Sequence, residues 1–260
     1  MKKTNARKYL DKLLPWVVPI LLLSVWQLGV QFGLLSTRIL PAPIDVLSAG
    51  IRLCSTGELF RHLEISTRRA LVGFLIGGGT GFILGLLNGI LPLAEKMFDT
   101  SIQMIRNIPH LAMIPLVILW FGIGEEAKLF LISIGVLFPI YLNTFHGIRS
   151  IDSGLIEMGK VYGLKPISLF WQVILPGALP SILVGLRYAL GIMWLTLIVA
   201  ETIASDSGIG YMAMNAREFM QTDVVVLSIL LYAVLGKLAD TTAKVLEAKC
   251  LEWHPNYQVA

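Results

Sequence analysis

Charge is scarce in this sequence. Asp, Glu, Lys and Arg make up 15% of its 260 residues, where a soluble domain carries about 25%. Cysteine occurs twice, as Cys54 and Cys250, too far apart for a disulfide framework or a paired-thiol metal site. The four histidines, His62, His110, His146 and His254, share no ligand spacing, and no H-E-x-x-H pattern occurs. There is no G-x-x-x-x-G-K-S/T phosphate loop, and Gly77-Gly78-Gly79 lies inside an apolar run, the wrong setting for one. No nucleophile with a base in reach is nominated for an intramembrane hydrolase. These absences predict a chain without catalytic residues, cofactor site or metal site of its own.

What is abundant is apolar. Hydrophobic residues reach 55% and the mean hydropathy is +0.74, values that predict an all-α polytopic membrane protein forming one bundle. The net charge of +4 is modest. Cytoplasmic loops that favour Lys and Arg explain it without any nucleic-acid partner.

Six apolar runs approach the ~20 residues needed to cross a bilayer. The first, Leu13 to Leu35, follows a basic start and is expected to be a retained span, because no small-x-small cleavage site closes it. Ile44 to Leu53 reads as a short helix at the outer surface. The second span is Ala70 to Leu91. The third, Ile102 to Phe121, is broken by Pro109 and Pro115. The fourth, Leu129 to Phe145, is interrupted by Pro139. Pro180 opens the fifth, Ile182 to Ala204, and a polar segment, Ser205 to Asp223, separates it from a last span beginning at Val224.

With the N-terminus inside, the inner segments hold Lys2, Lys3, Arg7, Lys8, Lys12, Lys96, Arg149, Lys160, Lys165, Lys237, Lys244 and Lys249. The outer segments hold Arg38, Arg52, Arg61, Arg68, Arg69, Lys128 and Arg217. The bias has the sign expected for both termini in the cytoplasm.

Three groups of residues stand out within the spans. Gly73, Gly77, Gly81, Gly85 and Gly89 recur every four residues on one helical stripe, which lets membrane helices approach closely. Arg106, Asn107 and His110 cluster at the broken third span, and Glu201 lies near the far end of the fifth; intramembrane polar groups of this kind are candidates for a translocation path. Pairing with a neighbour or snorkelling to the surface is the competing role for Arg106, and a structural hydrogen bond for Glu201. Arg187, early in the fifth span, is expected to anchor at the inner surface or to brace the amphipathic segment that precedes that span.

That segment, Glu157 to Pro176, is the one stretch between spans that reads as amphipathic. A first short helix ends where Gly163 takes a left-handed cap, and Pro166 suits the first turn of a second. Ile167, Phe170, Val173 and Ile174 fall at helical spacing on its apolar face. An ordinary connector would read similarly. Glu157 and Gly163, followed after a ten-residue step by Val173-Ile174-Leu175-Pro176, resemble the EAA loop of type I ABC-importer permeases, with Met158 and Gly159 where that family usually has alanines.

Further passages resemble the nitrate, sulfonate and taurine group of these permeases, and within it most closely the aliphatic-sulfonate permeases. They are STRILPAP (36–43), RNIPHLAMIPLVILWFGIGEEAK (106–128), LFPIYLNTFHGIRSID (137–152) and GIMWLTLIVAETIASDSGIGYMAMNAREFMQTDVVV (191–226). The resemblance implies a bacterial plasma-membrane importer for a small organic anion. Two ATPase subunits holding ATP and Mg, a second permease copy and an extracytoplasmic binding protein are the partners it implies. It also implies ATPase coupling through Glu157, Gly163, Leu164, Ile167, Phe170, Leu175 and Pro176. The expected division is 1–12 cytoplasmic, 13–67 first span and outer loop, 68–248 permease core with the hairpin at 157–176, and 249–260 a cytoplasmic tail. Taurine, nitrate or another small anion is the alternative cargo. A secondary transporter would need coupling-ion sites and often shows repeats, and a membrane-embedded enzyme would need the constellation that is missing.

An even number of spans after an inside N-terminus puts Cys250 in the cytoplasm. Impermeant thiol reagents applied to intact cells should leave Cys250 unlabelled until the membrane is opened; ready labelling from outside overturns the topology.

Overall fold

The structure, a computed structural model, describes residues 5–37, 39–203 and 205–254. Lys2 and Lys3, Arg38, Ala204 and the last six residues of the expected C-terminal tail lie outside them. Among the described residues the fold is all helical: α1 (Asn5–Gln31), α2 (Pro43–Ser55), α3 (Glu58–Ile90), α4 (Pro92–Arg106), a short turn of helix (His110–Met113) leading into α5 (Ile114–Phe121), α6 (Glu125–Arg149), α7 (Ser153–Val161), α8 (Pro166–Leu169), α9 (Leu175–Ile203), α10 (Ile209–Glu218) and α11 (Thr222–Cys250). Four helical runs are long and apolar enough to cross a membrane: α3, α6, Pro166–Ile203 and α11. The α4–α5 pair, bent by 78°, is long and apolar enough only when its two helices are taken together. The first expected span is represented by α1, whose apolar stretch Val17–Gln31 is shorter than a full crossing.

The chain divides into two compact units, one of residues 1–62 with 212–230 and one of 63–211 with 231–260. In the first unit, α2 buries Val46, Ala49 and Leu53, a helical stripe. Its start is fixed by Pro43 in the first turn and by the Asp45 carboxylate, which accepts from the Ala42 N–H at 3.1 Å. Arg52 pairs with Asp223 of α11 at 3.4 Å.

The second unit is built on small residues. A Cβ on Gly73 would lie 2.7 Å from Ile132, one on Gly77 2.6 Å from the Ser133 Cα, and one on Gly85 2.7 Å from Thr144, while Gly81 abuts the Leu137 carbonyl and Gly89 abuts Ile148. All five glycines therefore face α6. The other side of α6 meets α9 in the same way, since a Cβ on Gly147 would lie 3.0 Å from the Ala178 carbonyl and one on Gly185 3.0 Å from that of Pro139. With no solvent to expel between helices in lipid, such close backbone approach is what holds them.

Two expectations about proline change. Pro139 does not interrupt its span: α6 runs unbroken from Glu125 to Arg149, with the Asn143 side-chain amide donating to the Pro139 carbonyl at 2.9 Å. Pro180 does not open the fifth span but sits inside α9, and the helical run begins at Pro166. Neighbouring helices and side chains re-satisfy the freed backbone groups, so proline punctuates membrane helices less than soluble ones. The third span does break, at Asn107–Pro109, and Pro115 lies in the first turn of α5. There Ile114 and Val117 pack with Ala127 and Leu131 of α6 and Ala200 of α9.

The glycine stripe yields a paired test. Gly77→Val drives a side chain into the Ser133 backbone and should cost at least the ~1–3 kcal/mol usual for overpacking, visible as a lower thermal midpoint of the detergent-purified protein. Gly79→Ala meets nothing within 4 Å and should leave the midpoint unchanged or slightly raised. Equal effects would refute the close contact of Gly77 with α6.

Candidate functional site

The hairpin comes first, because its conformation is dictated locally. Asp152 caps α7, its carboxylate accepting from the Gly154 N–H at 2.7 Å. At the other end Gly163 has φ +78°, its N–H donates to the Lys160 carbonyl at 2.9 Å, and the Leu164 N–H reaches back to the Gly159 carbonyl at 3.0 Å. This pair of bonds closes the helix with a left-handed residue that favours glycine. Gly159, which stands where alanine was expected, is buried where the two limbs meet, and a Cβ on it would lie 2.6 Å from Leu169. Leu164 packs against the same glycine.

The second limb differs from expectation. It is not a separate helix: α8 passes through a wider helical turn, Phe170–Ile174, directly into α9. Limb and span are therefore one helical run, Pro166–Ile203. Leu175 and Pro176 lie half-buried at that junction. Ile167 is 76% exposed, whereas Phe170 is half-buried and packs edge-on against Trp171 with ring centroids 5.3 Å apart. The exposed apolar surface of the hairpin includes two residues not singled out in the sequence, Val161 at 86% and Tyr162 at 80% exposure. Their signal was present as apolar residues next to the cap glycine. Glu157 is exposed one helical turn before Val161 on the same face.

The four path candidates do not come together. Arg106 ends α4 and Asn107 follows it, both exposed. His110 is half-buried beyond the bend, its Nε2 3.1 Å from Thr196 Oγ1 of α9. Glu201 is elsewhere and fully buried. Its carboxylate accepts from Ser66 Oγ at 2.8 Å, Arg69 Nη1 at 2.8 Å, the Gly210 N–H at 3.0 Å and Tyr232 Oη at 3.0 Å. Four donors saturate a carboxylate. No lone pair remains for a cargo.

Arg69 and Lys128, counted above among outer-segment cations, are also buried, at 4% and 3% exposure. Arg69 grips Glu125 in a fork, with Nε 2.7 Å from Oε2 and Nη2 on Oε1, and its remaining N–H groups meet Glu201, the Ser207 carbonyl at 2.6 Å and Ser207 Oγ at 2.9 Å. Lys128 Nζ adds 3.2 Å to Glu125. Gly208, φ +105°, presses on the Glu201 carboxylate with no room for a Cβ. In the same loop the Ser207 hydroxyl, donating at 3.0 Å, holds the exposed Asp206 carboxyl below its usual pKa. Arg187 does not reach the hairpin; it pairs with Asp240 of α11 at 2.7 Å.

Residues 77–251 match the family described as binding-protein-dependent transport system inner membrane component. The chain is 61% identical over 256 residues to the putative aliphatic sulfonates transport permease protein SsuC of Escherichia coli (strain K12), covering 98% of this chain and 97% of that protein. It is 44% identical to the protein of the same name from Bacillus subtilis (strain 168), covering 99% and 94%. With the taurine transport system permease protein TauC of Escherichia coli (strain K12) it shares 35% identity, covering 91% and 88%. Among solved structures, an amino acid ABC transporter crystallised with histidines superposes with a TM-score of 0.59 at 16% identity, covering 72% of this chain and 92% of that one. An inward-facing methionine ABC transporter does so with a TM-score of 0.51 at 21% identity, covering 71% and 92%. These two show a shared fold.

The buried pair makes a strong stability prediction. Arg69→Ala leaves Glu201 charged and uncompensated and should cost about 3–5 kcal/mol. The double variant Arg69→Met with Glu201→Leu removes both charges and should be less destabilised than Arg69→Ala alone, read as the thermal midpoint of the purified protein. A midpoint for Arg69→Ala equal to the parent's would refute the central role given to this pair.

Proposed function

The chain belongs to the family of inner-membrane components of binding-protein-dependent transport systems, and on that premise we propose that it carries aliphatic sulfonates into the cytoplasm as the permease of an ATP-driven importer. The similarity that runs through nearly its whole length to two permeases named for aliphatic sulfonates carries this reading. The taurine permease is a more distant relative and supplies the second cargo to compare.

In this reading the chain has no ATPase site. ATP and Mg belong to two partner subunits, a second permease copy completes the passage, and a binding protein outside delivers the anion. Counting α1 and the bent α4–α5 pair as spans beside α3, α6, α9 and α11 gives six crossings, and with the N-terminus inside both termini and the α7–α8 hairpin are cytoplasmic. The hairpin docks on the ATPase, with Ile167, Val161 and Tyr162 as its apolar contact and Glu157 beside them. Gly163 and Leu164 hold its turn; Phe170, Leu175 and Pro176 join it to α9. ATP-driven movement of the hairpin then exchanges inward and outward openings, which requires the nucleotide to interact differently with the two states. Arg106, Asn107 and His110 at the bend supply positive charge and donors along the route of an anion.

Reconstituted with its ATPase and binding protein, the permease should accumulate labelled ethanesulfonate only when ATP is supplied. Accumulation of taurine or nitrate in place of ethanesulfonate overturns the cargo assignment. Gly163→Val has free space around it, so its effect is conformational, about 1–2 kcal/mol against the left-handed turn. It should insert normally, copurify poorly with the ATPase and lose uptake, whereas Gly163→Asn, better tolerated at positive φ, should keep part of both. Normal copurification and uptake of Gly163→Val would reduce the hairpin to a connector.

A further inference from the structure

We propose that a cavity between α9 and α11 is a transit site for the sulfonate headgroup, with Arg187 as the group that receives it; this rests on the sulfonate-permease reading above. The cavity, of about 670 Å³, is bordered by Arg187, Tyr188 and Gly191 of α9 and by Gly236, Asp240 and Glu247 of α11. Its size falls in the ~300–1,000 Å³ range of small-molecule sites. Charged walls exclude hydrocarbon as its filling, because ionisable groups at membrane depth face protein or water.

The ion pairs in this cavity are arranged so that Arg187 is replaceable. Asp240 accepts from Arg187 Nε at 2.7 Å on one oxygen and from Lys244 Nζ at 3.0 Å on the other, with Lys237 Nζ at 3.6 Å. Withdrawing the guanidinium therefore leaves Asp240 compensated. Arg187 spends only Nε on that bond. Its terminal nitrogens make no hydrogen bond among the described residues, the nearest carboxylate being Glu247 at 4.0 Å from Nη1. A free pair of terminal N–H groups is the fork that matches two oxygens of a sulfonate. Among the residues that border the cavity Arg187 faces Asp240 and Glu247, while Lys237 and Lys244 pair with Asp240 from outside that lining and offset its charge. Tyr188, 66% exposed, borders the same cavity. The site lies on the helix that continues directly from the hairpin, so movement of the hairpin shifts Arg187 against Asp240.

The test uses Gly191→Cys, whose side chain meets nothing within 4 Å, in a background with the exposed Cys54 and Cys250 changed to serine. The anionic reagent sulfonatoethyl methanethiosulfonate, itself an alkanesulfonate, should label this thiol faster than the cationic trimethylammonioethyl reagent. Ethanesulfonate should slow both. Adding Arg187→Gln should lower the anion-to-cation rate ratio by about fivefold or more. Equal rates for the two reagents, or labelling indifferent to ethanesulfonate, overturns the proposal. Uptake separates binding from bracing. Arg187→Gln should raise the half-saturating ethanesulfonate concentration about tenfold, while Asp240→Asn, which releases Arg187, should lower it. Equal impairment by both variants would make the pair a structural brace. Labelling requires no transport, so selective labelling without ethanesulfonate uptake would count against the cargo assignment and not against an anion site.

Discussion

The Glu201 carboxylate and the Arg69 guanidinium are the contact on which the 63–211 and 231–260 unit depends. Burying two charges in a membrane protein is unfavourable unless every donor and acceptor finds a partner. Here they do. Ser66 and Arg69 reach Glu201 from α3, Gly210 from α10 and Tyr232 from α11, while Glu201 itself comes from α9. Arg69 then extends the network to Glu125 at the start of α6. The loop at Ser205 to Gly208 is drawn onto the same guanidinium, and Gly208 is there because no side chain fits against the carboxylate. One ion pair thus fixes the relation of five helices.

Away from that polar centre the helices are held by closeness. The α3 glycines and the small residues between α6 and α9 bring backbones into contact, which hydrophobic association in lipid would not achieve by itself. Two prolines sit inside this packing without ending a helix. A third, Pro109, does coincide with a bend, where α5 turns back and docks on α6 and α9 through Ile114, Val117, Leu131 and Ala200. The large apolar side chains left exposed, such as Leu21, Leu75 and Leu119, are those a hydrocarbon solvent would cover.

The functional elements share one helical run. The hairpin continues through Leu175 into α9, and α9 carries Thr196 beside His110, Arg187 in the α11 cavity and Glu201 in the buried network. Ile167 stands at the start of this run, whereas Val161 and Tyr162 precede the Gly163 turn and join it through the packing of Gly159 against Leu164 and Leu169.

Much of this was legible in the sequence. Apolar runs, the glycine period and the Glu157–Gly163–Pro176 spacing are local signals, set by residue type and interval, and they suffice for an all-helical membrane fold and for a hairpin capped at Gly163. The limits of proline were misread for a physical reason: whether proline ends a helix in lipid depends on the helices packed around it, and α6 runs through Pro139 between α3 and α9. Likewise Arg69 and Lys128 read as loop charges, because a cation's burial depends on a partner 132 residues away in the case of Arg69 and Glu201. Arg187 read as an anchor until α11 brought Asp240 to it across 53 residues. Local periodicity determined which segments are helices and which faces are small or apolar. Only the tertiary structure decided which charges are spent on each other and which remain free, because that depends on distances between helices that no interval along the chain encodes.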